Sequence, residues 1–149
     1  MTIRTSLYSD NKISQLIDPA TLTADTDSSS VDMKGYNEVM FIVNCGESGD
    51  TLSSSLKWEF EVEESTDDST FTDVADADLV NYVAGTNDGC FAVVDAAAED
   101  DAAYYTSYRG TSRYVRVVAN AVGSVSSGMP ISVTAIQKAN DRPENTVTT

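Results

Sequence analysis

The stretch SLKWEFEVEE, residues 55–64, decides the fold class. Leu56, Trp58, Phe60 and Val62 alternate strictly with Lys57, Glu59, Glu61 and Glu63. A period of two places successive side chains on opposite sides of an extended chain, so the segment is predicted to be a strand with one apolar core face and one wetted acidic face. Trp58 is its largest apolar side chain and is expected in the core. STDDST then makes a turn and FTDV, residues 71–74, resumes a short strand.

Working outward, NEVMFIVNCG (37–46) puts Val39, Phe41, Val43 and Cys45 on one face and Met40 and Ile42 on the other. Two apolar faces predict a central strand. GESGD follows as a turn, and DLVNYV and CFAVVD read as further strands around the turn GTNDG. DAAAEDDAA (95–103) permits either one or two helical turns behind Asp95 or an acidic loop. In RYVRVVANAV, Val115, Val117 and Ala119 alternate with Tyr114, Arg116 and Val118, and PISVTAIQK places Ile131, Val133 and Ala135 on one side. About eight short strands, separated by turn signals every 8–12 residues, predict an all-β fold, an antiparallel β-sandwich.

Three regions are expected: an extended N-terminal arm over 1–19, a sandwich domain over 20–138 and a flexible polar tail over 139–149. The arm contains Ile3, Leu7, Tyr8, Ile13, Leu16 and Ile17, with Arg4 and Lys12, at spacings too irregular to assign a helix or a strand. It is predicted to order against a neighbouring subunit, the alternative being a loosely attached strand that packs on its own domain as an extra edge strand.

The 149 residues suffice for one hydrophobic core. Nine Lys and Arg against 24 Asp and Glu give a net charge of −15, which repels phosphate backbones and anionic lipid, so neither nucleic acid nor membrane is expected as a partner. No apolar run approaches the ~20 residues of a membrane span. The start MTIRTSLYSDNKISQL lacks the basic and apolar regions of a signal peptide, which predicts a chain made and used without secretion. Cys45 and Cys90 lack metal or redox spacing and are expected as two free thiols.

Without histidine, His-based proton transfer, a Ser-His-Asp triad and the usual zinc or copper sites are excluded. No phosphate-cradling glycine loop occurs, so no catalysis and no cofactor are expected. Acidic turns such as DTDSSS, GESGD and STDDS offer oxygen ligands for calcium, but none has EF-hand spacing, and solvated turns are expected. Tyr104, Tyr105 and Tyr108 raise the prospect of a sugar-stacking surface, although adjacent tyrosines on a strand point to opposite faces.

Scarce positive charge gathers in YRGTSRYVRVV (108–118), which carries Arg109, Arg113 and Arg116. Arg113 and Arg116 are expected to brace the sheet against acidic neighbours, and Arg109, in the turn, to face a partner.

The order of elements SSSVDMKGYNEVMFIVNCG, GDTLSSSLKWEFEVEESTDDSTFTDV, YRGTSRYVRVVANAV and MPISVTAIQK resembles head decoration, or cement, proteins of tailed bacteriophages over residues 20–138. The resemblance implies a structural virion protein, made in the host bacterial cytoplasm, that binds the outer surface of the assembled capsid and braces it. Its implied partners are the phage major capsid protein and neighbouring copies of itself. A tail or head–tail connector protein and a carbohydrate-binding adhesion module are the alternatives. Contacts are expected from Arg4, Leu7, Tyr8, Ile13, Leu16, Ile17 and Arg109.

Overall fold

Among the described residues ten strands follow one another: β1 (Asn11–Leu22), β2 (Thr26–Asp27), β3 (Val31–Asp32), β4 (Tyr36–Cys45), β5 (Lys57–Ser65), β6 (Thr72–Asp73), β7 (Cys90–Val94), β8 (Ala103–Tyr108), β9 (Tyr114–Val122) and β10 (Met129–Ala139). The computed structural model describes Tyr8 and residues 11–139. The strands form two antiparallel sheets. One has the order β1-β10-β4-β8, and in the other β9 and β5 are central, with β2 and β3 along β9 and β6 and β7 along β5. The packed pair is an all-β sandwich.

The core follows the alternation in the sequence. Trp58, Phe60 and Val62 of β5, with Val115, Val117 and Ala119 of β9, meet Val39, Phe41 and Val43 of β4 and Ile131, Val133 and Ala135 of β10. Each of these side chains is at most 1% exposed. Gln137 is the polar exception on β10, and its Nε2 donates to the Asp32 carbonyl at 2.9 Å, tying the two sheets at one end. Both cysteines are buried and free.

The arm expected over 1–19 is corrected for residues 11–19. They belong to β1, which pairs with β10 as an edge strand, with Leu16 and Ile17 in the core. Register shifts flank Ile17, so two successive residues point inward. A bulge of this kind breaks the period of two and hides a strand from pattern reading. Leu16 and Ile17 are therefore unavailable as capsid contacts. Ala139, assigned to the tail, instead closes β10, and the rest of the expected tail lies outside the described residues.

The acidic face of β5 is not wetted as predicted. Glu59 and Glu61 are 8% and 5% exposed, because neighbours on β9 and β7 flank them on both sides. Lys57 pairs with Glu59 at 2.6 Å, and Asn87 Nδ2 donates to Glu61 Oε1 at 3.0 Å. Burial raises the Glu61 carboxyl above its ordinary pKa. Residues 95–102 form a loop without a helix, in which the Asp95 N–H donates to Glu99 Oε2 at 3.0 Å. DLVNYV is not a regular strand. Leu79 makes a single bridge to Tyr108, and the Val80 N–H donates to the Ser107 carbonyl at 2.9 Å.

Candidate interaction surface

The β3–β4 turn, the β8–β9 loop, the start of β1 and the end of β10 meet at one end of the sandwich. Lys12, Lys34, Arg109, Arg113 and Lys138 gather there. Two are neutralised locally. Arg113 grips Asp32 through Nε–Oδ1 at 3.0 Å and Nη2–Oδ2 at 2.8 Å, and lies 4.9 Å over the Tyr114 ring. Lys138 lies 3.7 Å from Glu38. The Arg113 guanidinium, helped by the Lys34 N–H, holds the Asp32 carboxyl down to a pKa of about 2.

Arg109, Lys34 and Lys12 are exposed and pair with no carboxylate among the described residues. Lys12 Nζ stands 5.7 Å over the Tyr36 ring. A cleft of about 450 Å³ opens between the two loops, lined by Lys34, Tyr36, Asn37, Thr111, Ser112 and Arg113.

Tyr108 holds the loop that carries Arg109 in place. It is 5% exposed, its hydroxyl donates to Glu64 Oε2, and it accepts the Ser112 N–H at 2.9 Å. Burial, reinforced by the bond to Glu64, pushes the phenol pKa up to about 12. Gly110 lies so close that an added Cβ would fall 2.3 Å from the phenol oxygen, so only glycine passes over the ring. The Arg109 N–H is anchored on the Asp78 carbonyl at 2.7 Å, leaving its side chain outward.

The opposite end is acidic, with Glu47, Asp50, Asp100 and Asp101 around a shallow groove. Asp50 accepts the N–H groups of Ser126, Ser127 and Gly128 and the Ser126 hydroxyl at 2.7–3.3 Å, which lowers its pKa to about 2. Gly128 (φ +80°) brings the turn onto this carboxylate with no room for a Cβ, which would sit 2.3 Å from the Leu22 carbonyl oxygen. At the Arg113 end, in the turn after β5, Asp67 likewise accepts the Ser69 and Thr70 N–H groups at 3.0 and 2.8 Å. These carboxylates hold turns together. No group of three or more acids or thiols is arranged for a metal ion among the described residues.

Of the predicted contacts, Arg109 is an exposed side chain at the cationic end, and Tyr8 and Ile13 are 68% and 69% exposed. Leu16 and Ile17 are core residues, and Arg4 and Leu7 lie outside the described residues. Arg116 braces the sheet through Glu63 at 2.6 Å and Asp27 at 2.9 Å. The tyrosines share no platform: Tyr105 points outward, Tyr104 donates to the Glu99 carbonyl at 2.6 Å, and Tyr108 is inside. Sequence reading missed Lys34 and Lys12 as members of the cationic end, because only the strand pairing brings them beside Arg109 and Arg113.

No protein-family profile matches the chain, and no curated relative does. Among solved structures, the chain is similar to the crystal structure of the SPBc2 prophage-derived protein YomS, with 13% identity and a TM-score of 0.45 over 91% of this chain and 98% of that one.

Proposed function

We propose that this protein is a structural component of a tailed-bacteriophage particle, a decoration protein that binds the exterior of the assembled head and braces it. The observation that carries the reading is its polarity: Arg109, Lys34 and Lys12 present positive charge at one end of a −15 chain with no carboxylate paired to it among the described residues, and the opposite end is acidic. A molecule charged this way docks end-on, with its cations on carboxylates of a repeated surface and its acidic end toward solvent. The order of strand motifs supports the phage assignment, and binding only the assembled lattice stabilises it by mass action. The role requires no catalysis and no cofactor.

The test is cryo-EM of the particle that contains this chain, with occupancy measured for wild type, R109E and K34E. Density on the outer face of the head, end-on and reduced in both variants, is the expected result. Density in the tail or connector, or binding to a glycan array in place of capsid, would replace the reading.

A further inference from the structure

The outer face of the β1-β10-β4-β8 sheet has no covering layer among the described residues. Cross-strand register builds two rows on it, Ile13–Ile136–Met40–Ser107 and Gln15–Thr134–Ile42–Tyr105. Ile13 is 69% and Tyr105 62% exposed, and Met40, Ile42 and Ile136 are half-buried between them. The apolar surface continues past the β8 edge to Val80 and Tyr82, both exposed. A contiguous exposed apolar patch on a charged protein marks an interaction surface.

We infer that this face is where two copies of the chain associate, sheet against sheet. Charge selects the occupant. In register with these rows, the charged side chains are Glu38 and Lys138, opposite in sign and 3.7 Å apart. The outer face of the other sheet carries Glu63 and Asp73 beside Arg116, with Glu59 and Glu61 buried and Lys57 on Glu59, and Glu47 and Asp101 stand exposed at the acidic end. Two bodies of net charge −15 repel wherever acidic surfaces meet, and a cationic partner would be drawn to those surfaces instead. The neutral apolar face is the one a second copy approaches without burying like charges.

Size agrees with this occupant. Strands of 12, 11, 10 and 6 residues, at about 3.3 Å per residue and about 4.8 Å apart, span about 600 Å². A standard stable interface takes about 800 Å² from each partner. The inference goes beyond the capsid reading and is tested with no particle present, so either can fail alone.

Sedimentation velocity over a concentration series should show a dimer for the full chain. I13E/Y105E should raise the dissociation constant by at least about a hundredfold, because acids would face each other across the contact. S69E/T72E adds the same charge at exposed positions near the other sheet and should leave the dimer almost intact. Both sites of the test variant are exposed, so its melting temperature should match wild type. Raising salt should preserve or strengthen association by screening the net repulsion. A wild-type monomer at every concentration, a dimer that survives I13E/Y105E, or one that dissolves with salt would overturn the inference. A monomer that becomes a dimer on removal of residues 1–10 would show that those residues, not a second copy, cover the face.

Discussion

Replacing Arg116 by Ala tests how the three arginines of residues 108–118 divide their work. Nε and Nη2 of Arg116 reach Glu63 Oε2 at 2.7 and 2.6 Å, Nη1 reaches Asp27 at 2.9 Å, and the guanidinium lies 4.1 Å from the centre of the Phe71 ring. The Arg116 and Glu63 side chains are 20% and 19% exposed, so the pair is largely shielded. Losing it removes up to about 1 kcal/mol of pairing and leaves Glu63 poorly solvated, at about 1 kcal/mol more. The ring contact adds about 0.5–1 kcal/mol. A loss of about 2–3 kcal/mol lowers the melting midpoint of a chain this size by about 5–10 °C. Arg113 grips its partner in solvent, at 49% side-chain exposure, so R113A should cost much less. R109A should leave the midpoint unchanged. Circular dichroism melts and urea titrations of the three variants and of R116K supply the readout, and R116K should recover less than half of the loss because an ammonium cannot span both carboxylates. Equal destabilisation by all three, or a loss below about 0.5 kcal/mol for R116A, would refute the division.

Trp58→Ala should cost about 3–5 kcal/mol by opening a large cavity between the sheets, and native Trp58 fluorescence should be blue-shifted and poorly quenched by iodide. Tyr108→Phe removes a hydrogen bond to a charged acceptor and the acceptor of the Ser112 N–H, so a loss of about 1.5–3 kcal/mol and faster amide exchange across 109–112 are expected. Acid titration should separate two kinds of carboxylate. Asp32 and Asp50 have folded pKa values near 2, and that of Asp67 is also lowered, so their stabilisation is complete above the unfolded value of about 4 and is lost as pH falls toward 2. Glu61 has a raised folded pKa, so its contribution is greatest below the unfolded value and is lost as pH rises. E61Q should therefore gain on wild type between acidic and neutral pH, and an unchanged difference across that range would count against the burial argument.

Period-two alternation made β4, β5, β9 and β10 legible, because a sandwich core needs one continuous apolar face per strand and Trp58, Phe60, Val117 and Val133 supply it. β1 was legible only as the alternative to a free arm, because the shifts around Ile17 turn Leu16 and Ile17 inward together and break the period of two. The wet face assigned to Glu59 and Glu61 failed for a related reason: alternation shows which side a residue faces, whereas its exposure depends on what neighbouring strands place beside it. At the candidate surface, Arg109 was legible as a turn residue. Lys12 and Lys34 were not, since they are far from it in sequence and only the β1–β10–β4 ladder brings them together. The apolar rows of the outer face were half visible in Met40 and Ile42, which had been read as the mark of a central strand.

The position of β10 between β1 and β4 sets the order in which the molecule can assemble. Among the described residues, the strand that β1 pairs with in its sheet is β10, which arrives only when Met129–Ala139 has been synthesised, and β4 until then has only β8. A ribosome-bound chain lacking that segment holds Leu16, Ile17, Val39 and Phe41 without their shared neighbour, so the first sheet closes as a late, long-range step. Folding is accordingly expected to be slow for the chain's size. A chain that stops before β10 would lose more than one strand: with the bridging ladder gone, its first strand would have nothing to join.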